Sequence, residues 1–209
     1  HCISSAASDV YKRQGTQVVL ASASAIDLRF DGAERLILLR AGEILVTTAP
    51  DPQRAPRPLR VRSRHGTVQA LGTRFTLRQE DEQSRVAVFE GAVEVRPARA
   101  PGQVVRVEAG QGAVFSGDLA QPPVAAQESA AAWARGVLVA DDMPLGELVA
   151  ELARYRTGLL RCDPQVAGLR VTGVFSLRDT DRALHNLALG LPVQVVARTR
   201  YWVTVQAAG

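Results

Sequence analysis

Residues 30–46 read FDGAERLILLRAGEILV. Asp31-Gly32 and Ala41-Gly42 are turn-forming pairs, because glycine reaches the positive φ that a tight bend requires. Two apolar runs, 34–40 and 42–47, follow them; both are too short for a buried helix and lack a 3.6-residue period, so the reading is strand, turn, strand. Working outward, the same grammar covers residues 15 to about 116. Short runs at 16–21, 25–30, 59–64, 66–70, 74–78, 85–90, 91–96, 103–107 and 112–115 are separated by His65-Gly66, Leu71-Gly72, Glu90-Gly91 and Ala109-Gly110. Roughly ten short strands at this spacing predict an all-β sandwich or a β-solenoid-like stack over residues 15–118 rather than an α/β domain.

Beyond that region the pattern changes. Residues 119–136 are rich in Ala, Gln and Pro and read as a connector. Residues 137–206 alternate strands with helices in the order βαββαββ, a small α+β unit. Asp142 is expected to cap a first helix carrying Leu145, Leu148, Val149, Leu152 and Tyr155 at helical spacing, and Asp179 a second carrying Ala183, Leu184 and Leu187. The first fourteen residues, HCISSAASDVYKRQ, hold the only lysine, Lys12, and show neither strand alternation nor helix periodicity, so they read as a foreign or disordered leader outside the fold. The chain lacks an initiator methionine, Met143 being its only one, and is expected to be a piece of a longer protein.

Composition removes several classes of function. With 46% apolar and 22% charged residues the chain buries a core, while charges interrupt every apolar run well short of the roughly 18 to 20 residues that span a bilayer. The net charge of +4 is spread: residues 15–118 hold 14 Arg against 12 acids and residues 137–205 hold 8 against 7, so no single-sign face exists for a nucleic-acid backbone. One segment departs from this balance. Residues 54–64, RAPRPLRVRSR, hold five Arg and no acid, and read first as a solvated edge strand whose outward charges discourage pairing, with a site for an anionic partner as the alternative. Outside the leader only His65, His185 and Cys162 offer nitrogen or sulfur ligands, so no metal and no cofactor is expected. There is no G-x-S-x-G elbow, and no catalytic residue is expected.

Three blocks taken in order resemble the FecR family of anti-sigma regulators in cell-surface signalling. These are FDGAERLILLRAGEILV; GTVQALGTRFTLR with VAVFEGAVEV and VEAGQ; and WARGVLVADDMPLGELVAELARYRTGLLRCDP, continuing through VAGLRVTGVFSLRDTDRALHNLA to LPV. They span nearly all of residues 15–205. The resemblance implies the periplasmic portion of a single-pass inner-membrane protein of a Gram-negative bacterium, its second unit like the short secretin and TonB N-terminal domain. It implies a partner, the periplasmic signalling domain of a TonB-dependent outer-membrane transporter. Sigma factor and membrane would be reached only through a cytoplasmic region and a transmembrane helix not present in the chain. The competing expectation is an envelope module that binds glycan or peptidoglycan, which usually shows exposed aromatic platforms.

Within the second region the expected partner-binding residues are Leu145, Leu148, Leu152, Arg154, Tyr155, Arg156, Arg170 and Phe175. The apolar members have a ready alternative as core. Arg154, Arg156 and Arg170 are expected to face solvent.

Overall fold

The computed structural model describes residues 2–5, 9–13, 15–49 and 57–209; Arg54 of the arginine-rich segment lies outside the described residues. The chain divides into two compact units, His1–Ala134 and Arg135–Gly209.

Among the described residues the first unit forms one thirteen-stranded sheet. Its strands are β1 (Cys2–Ser5), β2 (Asp9–Arg13), β3 (Thr16–Leu20), β4 (Ser24–Phe30), β5 (Arg35–Thr47), β6 (Leu59–Ser63), β7 (Gly66–Ala70), β8 (Arg74–Gln79), β9 (Ser84–Glu90), β10 (Ala92–Pro97), β11 (Val105–Glu108), β12 (Gln111–Phe115) and β13 (Val124–Ala125). The two runs read as separate strands at 34–40 and 42–47 are one strand, β5. Its first half pairs with β4 and with β6, and its second half with β3 and β8. One limb of the sheet therefore runs β1-β4-β5-β6-β7-β10-β11 and the other β2-β3-β5-β8-β9-β12-β13. The sheet curls into a half-barrel, and all-β content is accommodated in one continuous sheet.

Gly42 explains why a turn signal became a bend. Its φ is +81°, and the β4 register shifts between Ala25 and Ile26, opposite this point. One positive φ beside a bulge redirects a strand without reversing it. The Ser24 hydroxyl fixes the corner, donating to the Glu43 carbonyl at 3.0 Å and accepting the Glu43 amide at 2.9 Å. Inside the curl, Ile37, Leu39, Ile44 and Val46 of β5 pack with Phe75, Leu77 and Phe115 in the core. Each such side chain contributes about 1.5–3 kcal/mol on full burial. Leu36, Leu38 and Leu45 on the other side of β5 are buried as well, the mark of a strand covered on both faces.

Three expectations about this unit need correcting. The described residues of the leader belong to the sheet: β1 pairs with β4, β2 pairs with β3, and Tyr11 packs against the core. Backbone pairing at a sheet edge needs no alternation in the added strand, which is why the sequence pattern missed it. The arginine-rich strand is no edge, since β6 lies between β5, to which it is parallel, and β7. Finally, the stretch expected as a connector has regular structure of its own: β13 pairs with β12, and a 3-10 helix at Glu128–Arg135 has Ala131, Ala132 and Trp133 buried.

The second unit comprises β14 (Val137–Pro144), α1 (Leu145–Ala153), β15 (Leu159–Cys162), β16 (Arg170–Ser176), α2 (Thr180–Gly190), β17 (Val193–Thr199) and β18 (Trp202–Ala207). β14 pairs antiparallel with β16, while β15, β18 and β17 form a three-stranded sheet with β15 parallel to β18. Asp179 caps α2 as its sequence position suggests, its carboxylate accepting the Arg182 amide at 2.9 Å. Asp142 does not cap α1. It sits at φ +48° in a bulge of β14, where its amide donates to the Thr172 hydroxyl at 3.0 Å. The first α1 amides instead donate to neighbouring carbonyls, Leu145 to Leu169 at 2.7 Å and Gly146 to Ala167 at 2.9 Å. With these donors satisfied by backbone, no side-chain cap is required.

The corner makes a direct prediction. A Cβ at Gly42 would overlap the Ser24 hydroxyl and lie 2.7 Å from the Ser24 Cα, in a backbone conformation strained for any L residue. Gly42→Ala is expected to lower unfolding free energy by about 3 kcal/mol or more. Gly32→Ala, where an added Cβ meets nothing within 4 Å, is expected to change it by no more than about 0.5 kcal/mol. Denaturant unfolding of the two variants checks both values.

Candidate functional site

The apolar residues expected at a partner surface are interior. Leu145, Leu148 and Leu152 form the buried face of α1, and Phe175 of β16 is buried. They hold the second unit together and are not available for contact in the folded state.

The arginines divide. Arg170 is exposed as expected and donates to the Asp142 carbonyl at 2.8 Å. Arg154 is part-covered, held by Glu151 at 3.0 Å and lying 5.8 Å from the centre of the half-buried Tyr155 ring. Arg156 overturns its expectation: its side chain is only 9% exposed, and its guanidinium reaches Asp181 in the first turn of α2 at 2.8 Å. It ties the segment after α1 to the start of α2. A residue just beyond a helix has no fixed helical phase, so spacing along α1 could not place it.

What the second unit exposes lies elsewhere. In the β15-β18-β17 sheet, Leu160, Val203 and Val205 turn inward and are buried. Strand alternation then puts Leu159 and Trp202, which are direct neighbours across β15 and β18, on the opposite face. Both are about two-fifths exposed, and Tyr201 is half exposed. Arg198 lies 5.2 Å from the centre of the Trp202 ring and Arg200 4.8 Å from that of Tyr201. Each stack is a cation–π contact of about 0.5–1 kcal/mol at an exposed site. Together they bias two large rings and two guanidinium groups toward this arrangement. Tryptophan, tyrosine and arginine are the residues that dominate protein–protein hot spots, and ordering them in advance lowers the entropy lost on docking. The order βαββαββ expected over 137–206 gives its last strand no functional mark. The available signal was the composition of residues 198–202, RTRYW, at a hairpin tip.

Groups with chemical potential elsewhere are engaged structurally. His65 is buried, with Nδ1 3.0 Å from the Ser84 hydroxyl and Nε2 3.2 Å from the Asp81 carbonyl; Ser84 in turn bonds Ser63 at 2.9 Å. Burial, then the charge of adjacent Asp163, raises the Cys162 thiol above its ordinary range, which disfavours the nucleophilic thiolate. Among the described residues no three His, Cys, Asp or Glu side chains gather as a metal-ligating group, and no helix is long and apolar enough to cross a membrane.

The family model described as FecR protein matches residues 4–94. The match begins inside the segment read as a leader and stops before the second unit, short of the 15–205 span over which the blocks were quoted. No curated protein matches the chain significantly. Two crystal structures of a proposed anti-sigma factor from Parabacteroides distasonis ATCC 8503 share the fold. The first has a TM-score of 0.78 at 21% identity, with all of both chains covered. The second has a TM-score of 0.76 at 21% identity, covering all of this chain and 99% of the other.

The revised placement of the arginines has a measurable consequence. Arg156→Glu sets a covered carboxylate against Asp181 and is expected to cost about 2 kcal/mol or more. Arg170→Glu, at the exposed position, is expected to stay within about 0.5 kcal/mol of the parent protein. Thermal unfolding of the two single variants separates them.

Proposed function

Since the chain belongs to the FecR family through its β-rich unit, we propose that it is the periplasmic signalling portion of a transmembrane anti-sigma regulator. In this reading the second unit corresponds to a short secretin and TonB N-terminal domain. It binds the N-terminal signalling domain of a TonB-dependent outer-membrane transporter. The transporter's ligand state alters that contact, and a cytoplasmic region outside this chain passes the change to an extracytoplasmic-function sigma factor.

One observation carries the assignment of the contact: the exposed surface of Leu159, Tyr201 and Trp202, with Arg198 and Arg200 stacked on the rings. Such a surface suits a protein partner with apolar and acidic groups. The same aromatics raise the envelope-glycan reading, because sugars stack on exposed rings. The stacks weigh against it, since a guanidinium already lies over each ring.

Tyr201→Ala with Trp202→Ala is expected to weaken binding of the cognate transporter's signalling domain by about tenfold or more, as loss of hot-spot residues does. Titration calorimetry with the parent and double-variant proteins measures this. Equal affinities, or co-sedimentation of the parent with peptidoglycan that the variant loses, would defeat the proposal.

A further inference from the structure

The arginine-rich strand in the first unit has an arrangement that the contact just proposed does not use. Along β6, Leu59, Val61 and Ser63 turn into the core while Arg60 and Arg62 turn outward, and Arg64 follows on the exposed side. Cross-strand register extends the pattern into rows. Arg62 is opposite Thr67 of β7, which is opposite Arg96 of β10; Arg60 is opposite Gln69, which is opposite Glu94. Arg60, Arg62, Arg64, Thr67, Gln69 and Arg96 line a recess of about 540 Å³. Pro97 and Pro101 form part of its wall. That volume falls in the range of about 300–1,000 Å³ typical of ligand sites.

The charges of the recess are only partly answered from within the fold. Glu34 holds Arg60 at 3.2 Å, and Glu94 holds Arg96 at 2.8 Å. Arg64 donates to the Asp81 carbonyl at 3.4 Å, a neutral acceptor. Arg62 meets no carboxylate within ion-pair distance among the described residues. Among the described residues, Arg62 and Arg64 are therefore without an acid across a polar floor.

We propose that this recess binds an extended acidic peptide segment of a partner protein. The spacing selects that ligand. Outward side chains on one strand repeat every two residues, about 7 Å, and the same repeat separates alternate side chains of an extended peptide. Carboxylates on alternate residues can therefore meet Arg62 and Arg64 in register, with one lying over Thr67 between Arg62 and Arg96. Guanidinium–carboxylate bonds are charge-assisted and can be bidentate, which favours carboxylate side chains in this geometry. β6 and β7 are paired on both sides, so the peptide is recognised by side chains and not by adding a strand. No aromatic ring lines the recess, which disfavours single-stranded nucleic acid. Nor does any large apolar side chain, which disfavours insertion into a lipid surface.

Fluorescence anisotropy at low ionic strength tests this with a fluorescein-labelled peptide of alternating Ser and Glu. A peptide of the same composition with its Glu residues in one block serves as comparison. The alternating peptide is expected to bind more tightly than the blocked one, and Arg62→Glu with Arg64→Glu to weaken it by about tenfold or more. Arg85→Glu, at an exposed residue of the other limb, is expected to change affinity less than about twofold, and the double variant to keep its unfolding midpoint. Equal binding of both peptides, equal loss in Arg85→Glu, or no peptide binding would overturn the proposal. Binding to phosphatidylglycerol vesicles alone, lost in the double variant, would also overturn it and assign the recess to a membrane surface. None of these outcomes depends on the transporter contact proposed for the second unit.

Discussion

The Ser24 hydroxyl donates to the carbonyl of Glu43 and accepts its amide at the place where β5 bends. Among the described residues the two limbs of the sheet are joined only through β5, the one strand they share. The angle between the limbs is thus set at one corner, where Gly42 has room only because it has no side chain. A buried serine using both its donor and its acceptor on one residue's backbone leaves no polar group there to solvate. The curl that encloses Ile37, Ile44, Phe75 and Phe115 follows from that corner, and so does the outward row of arginines on β6, whose register is set by pairing with β5.

The second unit follows a different rule. Its helices bury their apolar stripes, so residues of α1 that looked attractive as contacts are already used in the core. The surface that remains includes Val174 and Leu189 and a hairpin tip at which arginines lie over aromatic rings. Exposed aromatic and aliphatic side chains gathered beside arginines are a surface that a protein partner can cover. The proposed signalling contact rests on that physical feature, with the family setting the class of partner.

Much of this was legible in the sequence, for reasons that can be named. Glycine-punctuated apolar runs marked the strands of the first unit because turn chemistry is local, and Asp179 marked the start of α2 because a side-chain cap is local too. Asp142 misled because a bulge and backbone donors replaced the expected cap, a matter of which distant carbonyls arrive. Gly42 misled in a related way: one positive φ serves a turn or a bend equally well, and only the neighbouring strands decide. The burial of Arg156 depends on Asp181, twenty-five positions away, and the exposure of Trp202 on which face of a three-stranded sheet is covered. Neither is a local property. The family blocks were legible as sequence, but which residues of the second unit stay at the surface was not.

Hydrogen–deuterium exchange of the chain with and without the transporter's signalling domain tests the central claim most directly, because it locates the contact without altering the protein. The account predicts that binding slows exchange at backbone amides of Leu159–Cys162 and Trp202–Ala207, with little change in α1. Slowed exchange confined to the first unit, with binding independently established, would contradict it.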